Sequence, residues 1–252
     1  MKLSGSRSPA PATGFTWRSA SITSQGNVRT HNEDAVLELP AVGLWVVADG
    51  MGGHNAGDVA SNAIVTALSS MVRHARPSVL LDEVEDRLNA VNQQLYRASL
   101  EEGGGVSGST VAVLIALERH VLSVWAGDSR VYRCREGQLA QITSDHSETQ
   151  EMVDGGLISP DEAETSESSN VITRAVGGAA ELFLDLELTE LRDGDQFLIC
   201  TDGLYRALPK HILQRLVAED EPRMICESLI RQALAGVCRD NASAIVVRFS
   251  GS

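Results

Sequence analysis

Short apolar runs separated by polar turns dominate the hydrophobic pattern of the chain. Residues 43–48 (Gly-Leu-Trp-Val-Val-Ala) are continuously apolar, which predicts a strand buried on both faces. The same reasoning predicts further strands at residues 15–23, 35–39, 110–117, 121–126, 130–135, 182–191, 196–201 and 243–249.

Longer segments carry apolar residues at helical spacing. They predict helices at residues 58–75, 78–100, 210–219 and 221–237. Several strands follow one another through short turns, and the helices form separate blocks. This order is typical of an α+β fold in which antiparallel sheets are flanked by helices, and it disfavours a regular βαβ alternation.

Length and composition narrow the class of protein. A chain of 252 residues suits a single domain. Residues 1–14 are rich in Ser, Pro, Ala and Gly and predict a flexible tail, which leaves residues 15–250 as the domain. No apolar run approaches the roughly 18 residues of a membrane helix, so we expect no membrane partner. The formal charge of −13 disfavours nucleic-acid binding, which needs a basic face.

The cysteines show no metal-binding or redox spacing. They are dispersed and form neither a CxxC pair nor a Cys/His cluster, and they stand at Cys134, Cys200, Cys226 and Cys238. Most have apolar neighbours, as buried thiols do. The simplest expectation is a protein of the reducing cytoplasm.

Acidic residues concentrate at the ends of the predicted strands. Four lie in turns next to strands and two precede the second strand: Asp49, Asp128, Asp202, Asp240, and then Glu33 and Asp34. Taken singly, an Asp beside a Gly is an ordinary turn residue. Taken together, these carboxylates could meet at one edge of the core, where they would need a cation to offset their repulsion. An all-oxygen set favours Mg²⁺ or Mn²⁺ over Zn²⁺.

Two glycine-rich stretches look like phosphate loops, but neither fits. Asn55 stands where GxGxxG requires its last Gly, and Ser109 replaces the lysine of GxxxxGK[ST].

The ordered set of motifs resembles the metal-dependent protein serine/threonine phosphatases of type 2C, and above all their compact bacterial members. The motifs are Arg29-x-x-Asn-Glu-Asp34, Val47-Ala-Asp-Gly-Met-Gly-Gly-His54, Ser107-Gly-Ser-Thr110, Gly127-Asp-Ser-Arg130, Asp145-His146, Val171-Ile-Thr-Arg-Ala-Val-Gly177, Cys200-Thr-Asp-Gly-Leu204 and Asp240-Asn241. Each motif is weak alone, but the ordered set is specific and covers about residues 15–249.

The resemblance implies a four-layer αββα sandwich and a centre of two Mn²⁺ or Mg²⁺ ions. Asp49 would bridge the ions, the Gly50 carbonyl would bind the first, and Asp202 and Asp240 would complete the second. Glu33 would hold metal-bound waters.

The resemblance also implies roles around these ions. Asp128, together with Asp202, matches the position of a third, weaker ion in bacterial members. Arg29 matches the phosphate-binding arginine. Asp34 and Asn241 match positions that orient ligands and waters.

The implied reaction is hydrolysis of phosphoserine and phosphothreonine in proteins by direct attack of a di-metal-activated water. The partners would be phosphorylated proteins and a cognate bacterial Ser/Thr kinase system, and the enzyme would act as a monomer. In eukaryotic members a His follows the Asp-Gly, whereas Met51 stands here. His54 could protonate the leaving group, or it could contact substrate or cap the following helix.

Residues 147–170 match the mobile flap of the family, and two short helices separated by Gly155-Gly156 suit a hinged lid. A plain solvated loop is the alternative. Two other functions stay open: a catalytically silent type 2C-like binding or sensor module, and a di-metal hydrolase of small phosphoesters.

Overall fold

Two antiparallel sheets lie face to face between two layers of helices in the computed structural model, which describes residues 2–7, 14–52, 56–74, 76–101, 107–163 and 171–251. The predicted αββα sandwich is confirmed. The first sheet contains, in spatial order, β1 (Lys2–Arg7), β2 (Phe15–Ser24), β12 (Ala242–Gly251), β11 (Gln196–Cys200), β8 (Arg130–Arg135) and β9 (Gln138–Gln141).

The second sheet follows the order β10 (Asp185–Glu190), β7 (His120–Ala126), β6 (Val111–Ala116), β4 (Leu44–Gly52) and β3 (Asp34–Leu39). A short strand, β5 (Ser107–Ser109), pairs with the end of β4.

Each sheet carries its own helices on its outer face. The first sheet packs against α5 (Asp202–Ala207), α6 (Lys210–Val217) and α7 (Pro222–Ala235). The second packs against α1 (Ala56–Ser69) and α2 (Pro77–Glu101). Two short helices, α3 (Glu148–Asp154) and α4 (Pro160–Ala163), follow β9 and match the pair expected in the flap.

Strand β4 shows why the predicted strands are apolar on both faces. Leu44, Val46 and Ala48 point to the helices α1 and α2, whereas Trp45 and Val47 point to the other sheet. All five side chains are fully buried. Because both faces of each sheet are covered, the usual alternation of apolar and polar residues gives way to a continuous apolar run.

The structure departs from the predicted elements in several places. Lys2–Arg7, which fall within the predicted tail, pair with β2 and extend the first sheet by one strand. The backbone groups along that edge of β2 explain this pairing. Helix α1 ends at Ser69, six residues before the predicted end, because the chain must turn before Pro77 begins α2. Strands β5 and β9 and helix α5 are short and were not predicted.

None of the helices in the described part of the chain combines the length and the apolar character that a bilayer span requires.

Candidate active site

The acidic residues meet at one edge of the sandwich, where both sheets contribute. Asp34 and Asp49 face each other in the register of β3 and β4 in the second sheet. Asp128 lies in the turn from β7 to β8, where the chain crosses between sheets. Asp202 begins α5 directly after β11, and Asp240 lies just before β12. Both β11 and β12 belong to the first sheet.

These residues surround a cleft of about 700 Å³. Seven of the sequence-predicted site residues line it: Arg29, Glu33, Asp49, Gly50, Asp128, Asp202 and Asp240. Asp34 and Asn241 are buried just behind it, at 6% and 4% exposure. His54 lies outside the described residues.

Two glycines allow the backbone to close around the cleft. A Cβ atom on Gly50 would lie 1.9 Å from the carbonyl oxygen of Gly57, and one on Gly203 would lie 2.0 Å from that of Asn241. Neither distance is possible for a real side chain. The Asp-Gly pairs that looked like ordinary turns are therefore places where two backbone segments pass in contact.

Asp34 joins the two sheets beneath the cleft. Its Oδ2 atom accepts hydrogen bonds from Thr201 Oγ1 at 2.9 Å and from Ser243 Oγ at 2.6 Å. Thr201 and Ser243 belong to the first sheet region, whereas Asp34 begins β3 of the second. Its other oxygen, Oδ1, is buried and has no hydrogen-bond partner among the described residues.

Asn241 anchors the loop that carries Arg29. Its side-chain oxygen accepts a hydrogen bond from the Glu33 amide at 2.8 Å, and its Nδ2 donates to the carbonyls of Gln25 and His31 at 2.9 Å each. The amide of Asn241 also donates to Asp240 Oδ1 at 2.8 Å. Asn241 thus positions the arginine loop through its side chain and an acidic residue of the cleft through its backbone amide.

Two arginines hold three of the carboxylates. Arg29 pairs with Asp240 at 2.7 Å. Arg206 reaches Asp202 at 3.0 Å and Asp128 at 3.4 Å. Among the described residues, no three Asp, Glu, His or Cys side chains form a ready-made cation cage. The side chains are instead arranged as ion pairs around the cleft.

Burial and mutual repulsion raise the pKa of the carboxyls. Burial raises the pKa of Asp34 to about 7, although the hydrogen bonds from Ser243 and Thr201 act against it. Burial, and then the neighbouring Asp34 and Asp202, hold the pKa of Asp49 well above its ordinary value. Ionising all these groups together is therefore unfavourable unless positive charge is supplied.

A further carboxyl pair behaves in the same way. Burial raises the pKa of Asp128 to about 7, with Asp202 and Asp145 adding to the effect and Arg206 opposing it. Burial also raises the pKa of Asp202, which Arg206 lowers and Asp240 raises.

The donor set fits hard divalent cations at the centre of the cleft. All candidate donors are carboxylate or carbonyl oxygens, and no thiol or imidazole of the described residues lines the cleft. The partnerless Oδ1 of Asp34 is a buried acceptor suited to a bound water. The raised pKa values point the same way, because a bound cation would favour the ionised carboxylates.

His146 has a structural position beside the cleft. Its Nδ1 accepts a hydrogen bond from the Gly127 amide at 3.1 Å, and its ring stacks on Trp125 with the ring centroids 6.0 Å apart. Its Nε2 lies 3.1 Å from Asp185 Oδ2. It therefore supports the turn that carries Asp128.

Sequence reasoning missed Arg206 and Tyr205. Both lie on α5, and the Tyr205 hydroxyl donates to the Asp128 carbonyl at 3.2 Å. Only one signal could have revealed Arg206, namely its spacing of four residues from Asp202, which places both on one face of a helix. That signal requires knowing that α5 exists.

Comparison with known proteins supplies the family context. The protein phosphatase 2C family matches residues 23–234. The serine/threonine protein phosphatase PstP of Mycobacterium tuberculosis is 33% identical over 230 residues, which are 91% of this chain. The chain spans only 44% of the length of that relative.

Solved structures agree with the sequence match. PppA, described as a key regulatory component of T6SS in Pseudomonas aeruginosa, is 38% identical, with a TM-score of 0.86 over 92% of this chain and 97% of that one. The catalytic domain of PstP in complex with two manganese ions is 32% identical, with a TM-score of 0.83 over 94% and 99% of the two chains. By fold and sequence, the chain belongs to the protein phosphatase 2C family.

Proposed function

We propose that this chain is a Mn²⁺- or Mg²⁺-dependent phosphatase that hydrolyses phosphoserine and phosphothreonine in proteins. The observation that carries the proposal is the convergence of Asp49, Asp202, Asp240 and Arg29 on one cleft. The serine/threonine phosphatase activity named for PstP supports the same conclusion.

Two cations would be held by residues that line the cleft. The groups that would hold them are the carboxylates of Asp49, Asp202 and Asp240 and the Gly50 carbonyl, all at residues that line the cleft. Glu33 would hold waters at the rim. The bound ions would activate a water for attack on phosphorus and offset the negative charge of the phosphoryl group. The two manganese ions of the PstP catalytic domain support this count.

Arg29 would bind the phosphate of the substrate. Its side chain is 50% exposed at the cleft and pairs with Asp240. A cation at Asp240 would satisfy that carboxylate and leave the planar guanidinium to donate hydrogen bonds to two phosphoryl oxygens.

Asp34 and Asn241 would keep these groups in place. Asp34 has one oxygen held by two hydroxyls and one without a partner among the described residues, so it could orient a water toward the cations. Asn241 would hold the arginine loop in position.

The leaving alkoxide needs a proton, and His54 is our candidate for its source. In the sequence, His54 comes two positions after Gly52, the last residue of β4, and both Met51 and Gly52 line the cleft. The alternatives are contact with substrate and capping of the following helix.

Residues 147–170 would form a flap over the cleft. Ser147 caps α3 and bridges to Ile172, which lines the cleft. Gly155 and Gly156 separate α3 from the second helix and would supply the hinge. Residues 164–170 lie outside the described residues.

Asp49→Ala tests the function directly. With Mn²⁺, the wild-type chain should hydrolyse a phosphothreonine peptide and Asp49→Ala should not. Asp82→Ala, which removes an exposed carboxylate on α2, is the matched control and should be fully active.

Retained turnover in Asp49→Ala would refute the assignment. An inactive wild-type chain would favour the silent binding module. A strong preference for a sugar phosphate or a nucleotide over the peptide would favour the hydrolase of small phosphoesters.

We also propose that the protein is a monomer, that it acts in the cytoplasm, and that it removes the phosphate groups added by a Ser/Thr kinase. The four cysteines are all buried and unpaired, which suits a reducing compartment. Sedimentation velocity tests the monomer. Phosphoproteomics of a deletion strain, beside a strain carrying Asp202→Ala, tests the kinase link, because both should accumulate the same phosphosites.

A further inference from the structure

We infer that Arg206 takes the place of a third cation beside Asp128, so that this chain holds two cations where the family resemblance implies three. The inference rests on the proposed function, because it assumes the two cations at Asp49, Asp202 and Asp240. It concerns the part of the site where one arginine bridges two of the candidate ligands.

The geometry around Asp128 supports this assignment. The Asp128 side chain is only 3% exposed, and Arg206 Nη2 lies 3.4 Å from its Oδ2. The Nε atom of the same guanidinium lies 3.0 Å from Asp202 Oδ2. One guanidinium therefore bridges the two carboxylates that a third cation would have to share.

Helix α5 places Arg206 there. Asp202 is its first residue, and Arg206 follows four positions later on the same face. The intervening Tyr205 is fixed from the other side, because Arg130 stacks on its ring at 3.7 Å and is itself held by Asp145 at 2.6 Å. The Tyr205 hydroxyl then donates to the Asp128 carbonyl. The helix is thus tied to the Asp128 turn at two adjacent residues.

The Arg206 guanidinium opposes a metal ion at this position for two reasons, and it differs from Arg29, which holds Asp240 alone, because it bridges two carboxylates. It carries a positive charge at every accessible pH, so it repels a divalent cation brought into contact with it. It also occupies the Oδ2 atoms of Asp128 and Asp202, and these two carboxylates would be the ligands of that ion. Its side chain is 31% exposed and can move aside, but only by giving up both ion pairs. A third cation must therefore compete with Arg206.

Counting bound Mn²⁺ across a titration tests the inference without an activity assay. Free Mn²⁺ is measured by electron paramagnetic resonance with the wild type, Arg206→Ala and Arg206→Gln. The wild type should saturate at two ions. Both variants should bind a third ion in the same concentration range. Their affinity for this third ion should exceed that of the wild type by about tenfold or more, which corresponds to ~1.4 kcal/mol.

Two controls separate the local effect from general charge. Arg223→Ala breaks an exposed pair with Glu227 of the same four-residue spacing, removes the same charge, and should bind two ions like the wild type. Arg206→Ala combined with Asp128→Ala should lose the added ion. Circular dichroism melting identifies any variant that fails to fold, and Arg206→Gln, which keeps hydrogen-bonding groups, then carries the test.

The outcomes separate this inference from the function on which it rests. If the wild type and both Arg206 variants bind two ions across the millimolar range, or if the wild type already binds three, the inference is overturned and the proposed function stands. If the wild type binds no Mn²⁺, both are overturned.

Discussion

Replacing Asp34 by Asn should make the stability of the metal-free protein depend on pH in a new way. Asp34 is buried beneath the cleft, and its pKa of about 7 lies well above the ordinary value of 3.8. Asn has nearly the same shape, and its oxygen can still accept the hydrogen bonds from Thr201 and Ser243. The change therefore removes the ionisation and keeps these two hydrogen bonds.

The sign follows from the direction of the pKa change. A folded-state pKa above the unfolded one means that the folded protein binds this proton more tightly. The contribution to stability is complete below about pH 4 and is lost as the pH rises through about 7. Between pH 5 and pH 8 the wild type loses about 3 kcal/mol through this group, at 1.36 kcal/mol per pKa unit. The Asp34→Asn variant would lose no stability through this residue over the same pH range, because its amide does not ionise.

The amide of the variant carries a separate cost that does not depend on pH. Its NH₂ group replaces Oδ1, which has no partner among the described residues, and an unpaired buried donor costs ~1–3 kcal/mol. The informative quantity is therefore the change with pH. Relative to the wild type, Asp34→Asn should gain about 3 kcal/mol between pH 5 and pH 8, or about 6–12 °C in melting temperature for a domain of this size.

Urea unfolding and thermal melting in excess chelator, at pH 5 and at pH 8, measure this change. Asp82→Asn, an exposed carboxylate on α2, is the control and should show no such pH dependence. The reasoning would be refuted if the difference in unfolding free energy between Asp34→Asn and the wild type were the same at both pH values. A variant that became less stable relative to the wild type as the pH rises would refute it as well.

Three further predictions concern the same cleft. Adding Mn²⁺ to chelated protein at about 100 times its dissociation constant should stabilise the fold by ~2.7 kcal/mol and raise the melting temperature by about 5–11 °C; Asp49→Ala should lose this shift, and an unchanged wild-type melting curve would contradict the cation site. Gly203→Ala should destabilise the protein by more than ~2 kcal/mol, because its Cβ would meet the Asn241 carbonyl at 2.0 Å; Gly236→Ala, whose nearest neighbour would be 3.6 Å away, should be close to neutral in the same unfolding assay. His54→Gln should lower kcat by about 10²–10⁴-fold and remove the basic limb of the pH–rate profile if His54 is the proton donor; an unchanged profile would leave it a contact or capping role.

Most of the fold could be predicted because burial leaves a local trace in the sequence. The strand at residues 43–48 was recognisable because both faces of β4 are covered. The neighbouring residues Leu44 and Trp45 are both apolar, although they point to opposite faces of the sheet. The four long helices were recognisable from their spacing of apolar residues. The short elements left no such trace. Helix α5 has six residues, and its formation depends on contacts with β12 and the Asp128 turn.

The candidate site shows the same division. The acidic residues could be identified from their place at strand ends and from the order of the motifs. Arg206 could not, because an arginine four residues after Asp202 matters only once both lie on one helix that faces Asp128. The pairing of Arg29 with Asp240 joins residues 211 positions apart, and no local pattern reports it.

The sequence by itself determined the α+β class with helices flanking antiparallel sheets, and the all-oxygen chemistry of the acidic cluster. These properties depend on residue type and on spacing along a few neighbouring positions. The order of the motifs along the chain added the resemblance to the family, which implied the four-layer sandwich. Only the tertiary structure decided which charged groups form ion pairs and hydrogen bonds with one another. Asp34 accepts hydrogen bonds from residues 167 and 209 positions away, and Arg206 stands between Asp128 and Asp202. Such partnerships depend on the register of strands from two different sheets, and hydrogen bonds and ion pairs act only at contact distance.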